Sequence, residues 1–369
     1  MTVRIVVAGA GYAGLAAAKL AARWTGAEVT LVNEHDRFVE RVRLHQLAAG
    51  QELRDLPLTS LLAGTGVGLV VDRITDIDAS AREVRTAGGH RLGYDRLIYA
   101  LGSHADMASV PGAAEHAYTV AGLEKARALR QRLGQAQSVI VAGAGLTGIE
   151  AAAEIAETYR SLKVRLVTGG VLGEALSARA RRYLWRTFER LGVEVSEGAR
   201  IAEVREDGLL LESGDHLAAD TVVWTAGFAV PALAREAGFG VDGNGRMLVD
   251  DTLRSVSHPE VTAVGDAAAI RLADGRELRM ACATGLPTTQ TAIRAMAARM
   301  AGRRPKPVRF RYVNQCISLG RRDGLIQFVR ADDSPREAVL TGRLAARYKE
   351  SIVRATVMFE RHPVLPAGF

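Results

Sequence analysis

The sequence predicts an α/β protein built from two Rossmann-like dinucleotide-binding domains and a small C-terminal α+β region. Three observations lead there. A G-x-G-x-x-G turn occurs twice, as Gly9-Ala10-Gly11-Tyr12-Ala13-Gly14 and as Gly143-Ala144-Gly145-Leu146-Thr147-Gly148. Each turn lies between a short β-branched run and an alanine-rich helical stretch, and a second strand pattern follows. Gly143 comes 134 residues after Gly9, a spacing that marks a duplicated domain rather than a solenoid.

In the first unit, residues 3–8 read as a buried strand, 15–22 as a helix and 28–32 as the next strand. In the second, 138–142, 149–157 and 163–167 repeat the pattern. One such glycine turn is a weak signal; two, each inside strand–turn–helix–strand, form a dinucleotide fingerprint. Gly9 and Gly143 make the turn. Gly11 and Gly145 remove a side chain where a pyrophosphate must approach. Gly14 and Gly148 let helix and strand touch. The helix N-terminus then offers free N–H groups to phosphate.

Residues 68–71 and 83–86 look like strands of a small β excursion. Residues 94–99 read as a buried strand ending in Ala100-Leu101-Gly102-Ser103, and 220–224 ends in the same way in Thr225-Ala226-Gly227. Another strand over 261–264 ends in Gly265-Asp266-Ala267-Ala268. Arg303-Arg304-Pro305-Lys306-Pro307 reads as a linker, with strands expected over 309–319 and 324–329. A closing helix is expected over 339–360, with an apolar stripe at Leu344, Tyr348, Ile352, Ala355 and Phe359. The expected organisation is a first domain from 1–110 and 231–302, an inserted domain over 111–230, and a C-terminal region over 303–369.

Hydrophobic residues make up 48% of the 369 and charged residues 24%. That balance excludes a disordered chain, a coiled coil and a collagen. No uncharged apolar run approaches the ~20 residues of a membrane span, and the start lacks the pattern of a secretory signal. The cysteines are Cys282 and Cys316, without a Cys-x-x-Cys, so neither a metal site nor a disulfide scaffold is expected. They read as small buried thiols in a reducing cytoplasm. The net charge of +7 is carried by scattered arginines, with no basic cluster interleaved with aromatics to favour nucleic acid.

Together these segments resemble the FAD-dependent pyridine-nucleotide oxidoreductases. The resemblance is closest to type II NADH dehydrogenases and the apoptosis-inducing-factor-like NAD(P)H:quinone reductases. Leu44-His45-Gln46-Leu47-Ala48-Ala49-Gly50 and Leu286-Pro287-Thr288-Thr289-Gln290 are similar to segments of that branch. The resemblance implies that FAD binds through Gly9, Ala10, Gly11, Tyr12, Ala13 and Gly14, with Ala100, Gly102, Gly265, Asp266 and Leu286 around it. Arg43 and Ile74 join that set, and His45 and Gln46 are candidates for the flavin pocket. NAD(P)H is implied at Gly143, Gly145, Leu146, Thr147, Gly148 and Gly227. The ribose positions fall at Asn33, with Glu34 beside it, and at Thr168. Without a carboxylate or an immediately following arginine at Thr168, both NADH and NADPH are expected to serve.

Glu150 is implied to contact the nicotinamide carboxamide, and Gln290 to stabilise charge on the reduced flavin. The implied reaction is hydride transfer from NAD(P)H to flavin N5, then two electrons to a quinone or other small acceptor. Other readings stay open: a reductase of an acidic, ferredoxin-like electron-transfer protein, a tailoring oxidoreductase, or a non-enzymatic redox-sensing flavoprotein. Two departures matter. Residues 38–50 lack the cysteine pair of the disulfide reductases, and Arg294 stands where type II enzymes usually carry a second glutamine. Arg41 and Arg43 otherwise read as solvated charge. The basic terminal helix is expected to cover the flavin domain or a second copy in a homodimer. A peripheral contact with the inner face of the cell membrane is its other reading.

Overall fold

The computed structural model describes residues 2–366. The first unit runs through strand β1 (Arg4–Ala8), helix α1 (Tyr12–Thr25), β2 (Glu28–Asn33), β3 (Gly68–Val71) and β4 (Arg96–Tyr99). The second runs through β5 (Ser138–Ala142), α2 (Leu146–Thr158), β6 (Lys163–Val167), β7 (Val193–Ser196) and β8 (Thr221–Trp224). The chain then returns with β9 (Val261–Ala263) to the first sheet.

The two sheets share one plan. The first is parallel in the order β9-β4-β1-β2-β3. The second is parallel in the order β7-β6-β5-β8, with the short strand Ala117–Tyr118 at its edge. In each, the strand before the glycine turn lies at the centre. Parallel strands covered on both faces need near-continuous apolar runs, and Ile5, Val6, Val7 and Ala8 are all buried, as are Val139, Ile140, Val141 and Ala142.

The turns hold only because they are glycine. Gly9 and Gly143 take φ values of +96° and +105°, a region that L side chains enter at a cost. A Cβ on Gly14 would lie 1.9 Å from the Gly9 carbonyl oxygen, and a Cβ on Gly148 the same distance from that of Gly143. The helices can therefore sit on their strands only without those side chains.

Residues 68–71 correct an expectation. They pair in parallel with β2 and belong to the main sheet. The excursion is instead an antiparallel ribbon of Ile74–Asp78, Glu83–Thr86 and Arg91–Gly93. Its counterpart in the second unit is Ile201–Arg205, Gly208–Leu211 and His216–Ala218.

Helix α3 (Cys282–Met300) packs along α1. An antiparallel sheet of β10 (Asn314–Ser318), β11 (Gly324–Val329) and β12 (Pro335–Thr341) follows, then helix α4 (Gly342–Arg361). The sequence extended this last helix back to residue 339. Val339, Leu340 and Thr341 instead pair with Gln327, Ile326 and Leu325, and Gly342 at φ +73° turns the chain out of the strand.

Of the predicted stripe of α4, Leu344, Tyr348 and Ile352 face outward, while Ala355 and Phe359 are half-buried. Leu344, Tyr348 and Ile352 are 62%, 37% and 36% exposed, while Ala345, Val353, Val357 and Glu360 are buried. The first three residues of the stripe therefore do not cover the flavin domain. The inward face carries Lys349, whose ammonium contacts Glu150, and Glu360, whose carboxyl is buried with Oε2 unpartnered, so apolar content alone does not pick the docking side.

Candidate active site

Two open cradles lie at the carboxyl ends of the central strands, where ligands bind in α/β sheets. Gly11 and Gly145 are the N-caps of α1 and α2, and neither helix start has a side-chain cap. A Cβ on Gly11 or on Gly145 would meet nothing within 4 Å, whereas Cβ atoms on the flanking glycines would collide with backbone. The middle glycine of each turn is thus free of packing demands in the protein itself. Its missing side chain leaves a concave seat in front of unpaired N–H groups, which suits a pyrophosphate.

The first cradle is furnished further. Asn33 Oδ1 accepts from the Ala10 N–H at 2.8 Å, while its Nδ2 donates to the His35 carbonyl at 2.8 Å. Asn33 therefore braces the glycine turn, and Glu34 beside it is exposed. Gly265, at φ +70°, approaches so closely that a Cβ there would lie 3.0 Å from Ala13 Cβ. Asp266 accepts from Ser103 Oγ at 2.7 Å, and Arg41 donates to the Ser103 carbonyl at 2.5 Å. The Arg41 guanidinium sits over the Phe228 ring at 5.5 Å. Burial pulls its pKa down and Asp266 opposes the fall. Gly102 turns at φ +65°, the Ala100 N–H joins the Ala8 carbonyl at 2.9 Å, and Ile74 is buried at the start of the ribbon. Tyr12 meets Phe38 edge-on at 4.9 Å. These residues fit a dinucleotide: a phosphate seat at the start of α1 and, on the adjoining turn at Gly265, a carboxylate fixed by Ser103.

Beside the second cradle, α2 carries Glu150, Glu154 and Glu157 at i, i+4 and i+7, one face of a helix. The C-terminal region supplies a partner for each. Glu150 Oε1 accepts from the Ser318 N–H at 3.0 Å and is in direct contact with the Lys349 ammonium. Glu154, fully buried, pairs with Arg321 at 2.7 Å and accepts from Gln51 at 2.5 Å. Glu157 accepts from the Arg321 N–H. His45, from the first unit, lies 3.3 Å from Ser318 Oγ. Burial holds its pKa well below the usual histidine range, and Lys349, Arg321 and Arg43 add to the effect. Burial and Arg43 also pull Lys349 down to about 7, against Glu350; its contact with Glu150 opposes that fall too. Residues of both units and the C-terminal region thus meet in one buried polar junction.

The sequence pattern of the pyridine nucleotide-disulphide oxidoreductases matches residues 3–295. The chain belongs to this family. It is 36% identical to an NADH dehydrogenase-like protein of Mycobacterium tuberculosis over 309 residues, 77% of each chain. It is 28% identical to a type II NADH:quinone oxidoreductase of Staphylococcus saprophyticus over 363 residues, 87% of this chain and 89% of the other. The sulfide:quinone oxidoreductase of Aquifex aeolicus shares the fold, with a TM-score of 0.84 at 17% identity, over 98% of this chain and 92% of that one.

Within this pyridine nucleotide-disulphide oxidoreductase, several expected site residues sit differently from the sequence reading. Arg43 is buried, not solvated. It makes a two-pronged pair with Glu350 at 2.9 and 3.1 Å and also reaches Glu40 at 3.2 Å and Gln46 at 3.1 Å. Gln290 Nε2 donates to the carbonyls of Pro363 and Leu365 at 2.7 and 2.6 Å, anchoring the segment after α4. Leu286 lies half-buried one turn earlier. Arg294 stacks over Trp24 at 5.0 Å. Cys282 is exposed rather than buried, and half-buried Cys316 donates to Asn314 Oδ1 at 3.1 Å.

In the second cradle, Leu146 and Thr147 form the first turn of α2. Gly227, at φ +90°, faces Asp106, and Thr168 directly follows β6. Sequence reasoning missed Lys349, Ser318 and Arg321. The one available signal was the row of glutamates on α2, which demands cations from elsewhere in the chain.

Proposed function

We propose that this family member is an FAD-dependent NAD(P)H:quinone oxidoreductase. The observation that carries the reading is the pair of like-built cradles joined by a buried junction that fixes Glu150. The likeness to a type II NADH:quinone oxidoreductase over most of both chains supports quinone as the acceptor. FAD in the first cradle would supply the redox chemistry, taking a hydride from the nicotinamide and passing two electrons to quinone.

The chain's own residues bind, orient and shield. The first turn of α1 would hold the FAD pyrophosphate, and Asp266, fixed by Ser103, would accept from a ribityl hydroxyl. The first turn of α2 holds the nicotinamide nucleotide's pyrophosphate. Glu150 orients the carboxamide with its carboxylate pinned by Ser318 and Lys349, so the ring arrives in one pose and proximity does the rest. NAD(P)H and quinone give NAD(P)⁺ and quinol with uptake of one proton.

The outward face of α4 supports a peripheral contact with an anionic membrane, where quinones reside. Leu344, Tyr348 and Ile352 form an exposed apolar row beside Arg343, Arg347 and Arg354. Among the described residues no helix is long and apolar enough to cross a membrane.

The test is rapid mixing. FAD-loaded protein is expected to lose its oxidised flavin band on meeting NADH or NADPH and to regain it with a soluble quinone. A FAD-loaded protein that neither nucleotide bleaches overturns the reading. Recovery with a ferredoxin-like protein but not with quinone overturns the choice of acceptor.

A further inference from the structure

We infer that Arg200 receives the 2′-phosphate of NADPH and so makes this chain accept NADPH. The inference rests on the reading of the second cradle as the nicotinamide nucleotide site. The two units can be superposed by their hydrogen bonds: the Gly9 N–H donates to the Val32 carbonyl and the Gly143 N–H to the Val167 carbonyl, both at 2.8 Å. Thr168 therefore stands where Asn33 stands, at the strand end that faces the adenosine ribose.

Thr168 carries no charge, and its Oγ1 accepts from the Gly170 N–H at 3.2 Å. Its backbone is laced to the following turn. The Thr168 N–H donates to the Ser196 carbonyl and the Ala199 N–H to the Thr168 carbonyl, each at 2.9 Å. That lacing lays the next residue, Arg200, across the ribose loop. A Cβ on Gly169 would lie 3.2 Å from Arg200 Cγ, so the glycine makes room for the arginine stem. Arg200 is exposed, and among the described residues no carboxylate pairs with its guanidinium. The sequence, read along the strand, showed no arginine next to Thr168; the fold delivers one from 32 residues further on.

One carboxylate faces the same loop. A Cβ on Gly170 would lie 3.4 Å from Glu174 Oε2. Glu197, also nearby, is occupied by the Leu172 N–H at 2.6 Å. Glu174 suits a ribose hydroxyl and repels a phosphate, while Arg200 attracts it. The pair therefore sets the NADH/NADPH ratio with opposite signs.

The experiment measures the binding of adenosine 2′,5′-bisphosphate and of 5′-AMP to FAD-loaded protein by calorimetry, together with KM for NADPH and NADH. Arg200→Ala is expected to weaken the bisphosphate and raise the NADPH KM by roughly tenfold to a hundredfold, the range of a lost charge-assisted contact. AMP binding and the NADH KM stay within about twofold. Arg200→Lys recovers part of the loss, and Glu174→Gln tightens the bisphosphate. If Arg200→Ala moves both ligands equally, or neither, the inference is overturned. Failure of every nucleotide to bind or to bleach the wild-type flavin would instead overturn the reading of the cradle itself.

Discussion

Lys349→Met tests the buried junction most directly. The Glu150 and Lys349 side chains are only 12% and 11% exposed, so solvent screens their contact weakly. Removing the ammonium leaves the carboxylate with the hydrogen bond from the Ser318 N–H. Breaking one side of a buried ion pair costs about 3–5 kcal/mol. A ceiling comes from the escape route: protonating a carboxyl of ordinary pKa at pH 7 costs roughly 4 kcal/mol. Methionine keeps most of the stem's packing, so a loss of about 2–4 kcal/mol is expected in urea unfolding of FAD-loaded protein. Glu150→Gln with Lys349→Met removes both charges and should recover at least about 1.5 kcal/mol of that loss. The single variant should also slow flavin reduction at saturating NADH, because Glu150 loses its orientation. A loss under about 1 kcal/mol, with the double variant additive, would refute a coupled pair at this site.

Gly11→Ala is expected to fold with unchanged apo stability, since its added Cβ meets nothing, yet to bind FAD at least about tenfold more weakly. Gly14→Ala, whose Cβ would lie 1.9 Å from a carbonyl oxygen, should fail to give soluble folded protein; equal behaviour of the two variants would refute the cradle. Two buried groups give pH dependence of opposite sign. His45 stays neutral in the fold while an unfolded histidine protonates below about 6.5, so stability falls as pH drops through that range and His45→Gln should flatten the loss. Glu360 is held well above the usual carboxyl range by burial, with Lys19 opposing, so its contribution is present in acid and lost as pH rises beyond about 4.5; Glu360→Gln should raise stability at neutral pH. Co-sedimentation with anionic vesicles should fall several-fold in Leu344→Asp/Ile352→Asp with turnover on soluble quinone kept, and unchanged sedimentation would refute the membrane face.

The cradles were legible in the sequence because their causes are local. A glycine that must adopt φ +96°, or sit 1.9 Å from a carbonyl, can be replaced by nothing else, so the steric demand is written into the residue type. The duplicated sheets followed from the same motif plus unbroken apolar runs. The junction was not legible, because its members come from residues 43–51, 150–157, 316–321 and 349–354 and only the fold brings them together. Lys349 on its own looks like any charge on a basic helix, and Arg43 like a solvated one. The orientation of α4 failed for a related reason. Periodicity finds a stripe but cannot say whether a helix docks by its longest apolar row or by a row of small and aliphatic residues that also carries Lys349 and Glu360.

What seats α4 and what fixes its register are different things. Buried ion pairs contribute little net stability, because desolvation offsets their attraction. Ala345, Val353 and Val357 supply the favourable burial instead. The ions act through position. Lys349 meets Glu150, and Lys19 Nζ donates to the Glu360 and Arg361 carbonyls at 2.8 and 2.9 Å, closing the helix's C-terminal end. A slide of one turn along α4 would carry Lys349 about 5.4 Å from Glu150 and leave two buried charges without their counter-ions, a larger penalty than the apolar residues would feel. The same pair that we propose orients the nicotinamide carboxamide therefore also pins the helix that presents Leu344, Tyr348 and Ile352 to the outside. Loss of Lys349 should consequently loosen amide protection along α4 as well as slow flavin reduction, and hydrogen exchange that leaves α4 as protected as in the parent protein would separate the two roles.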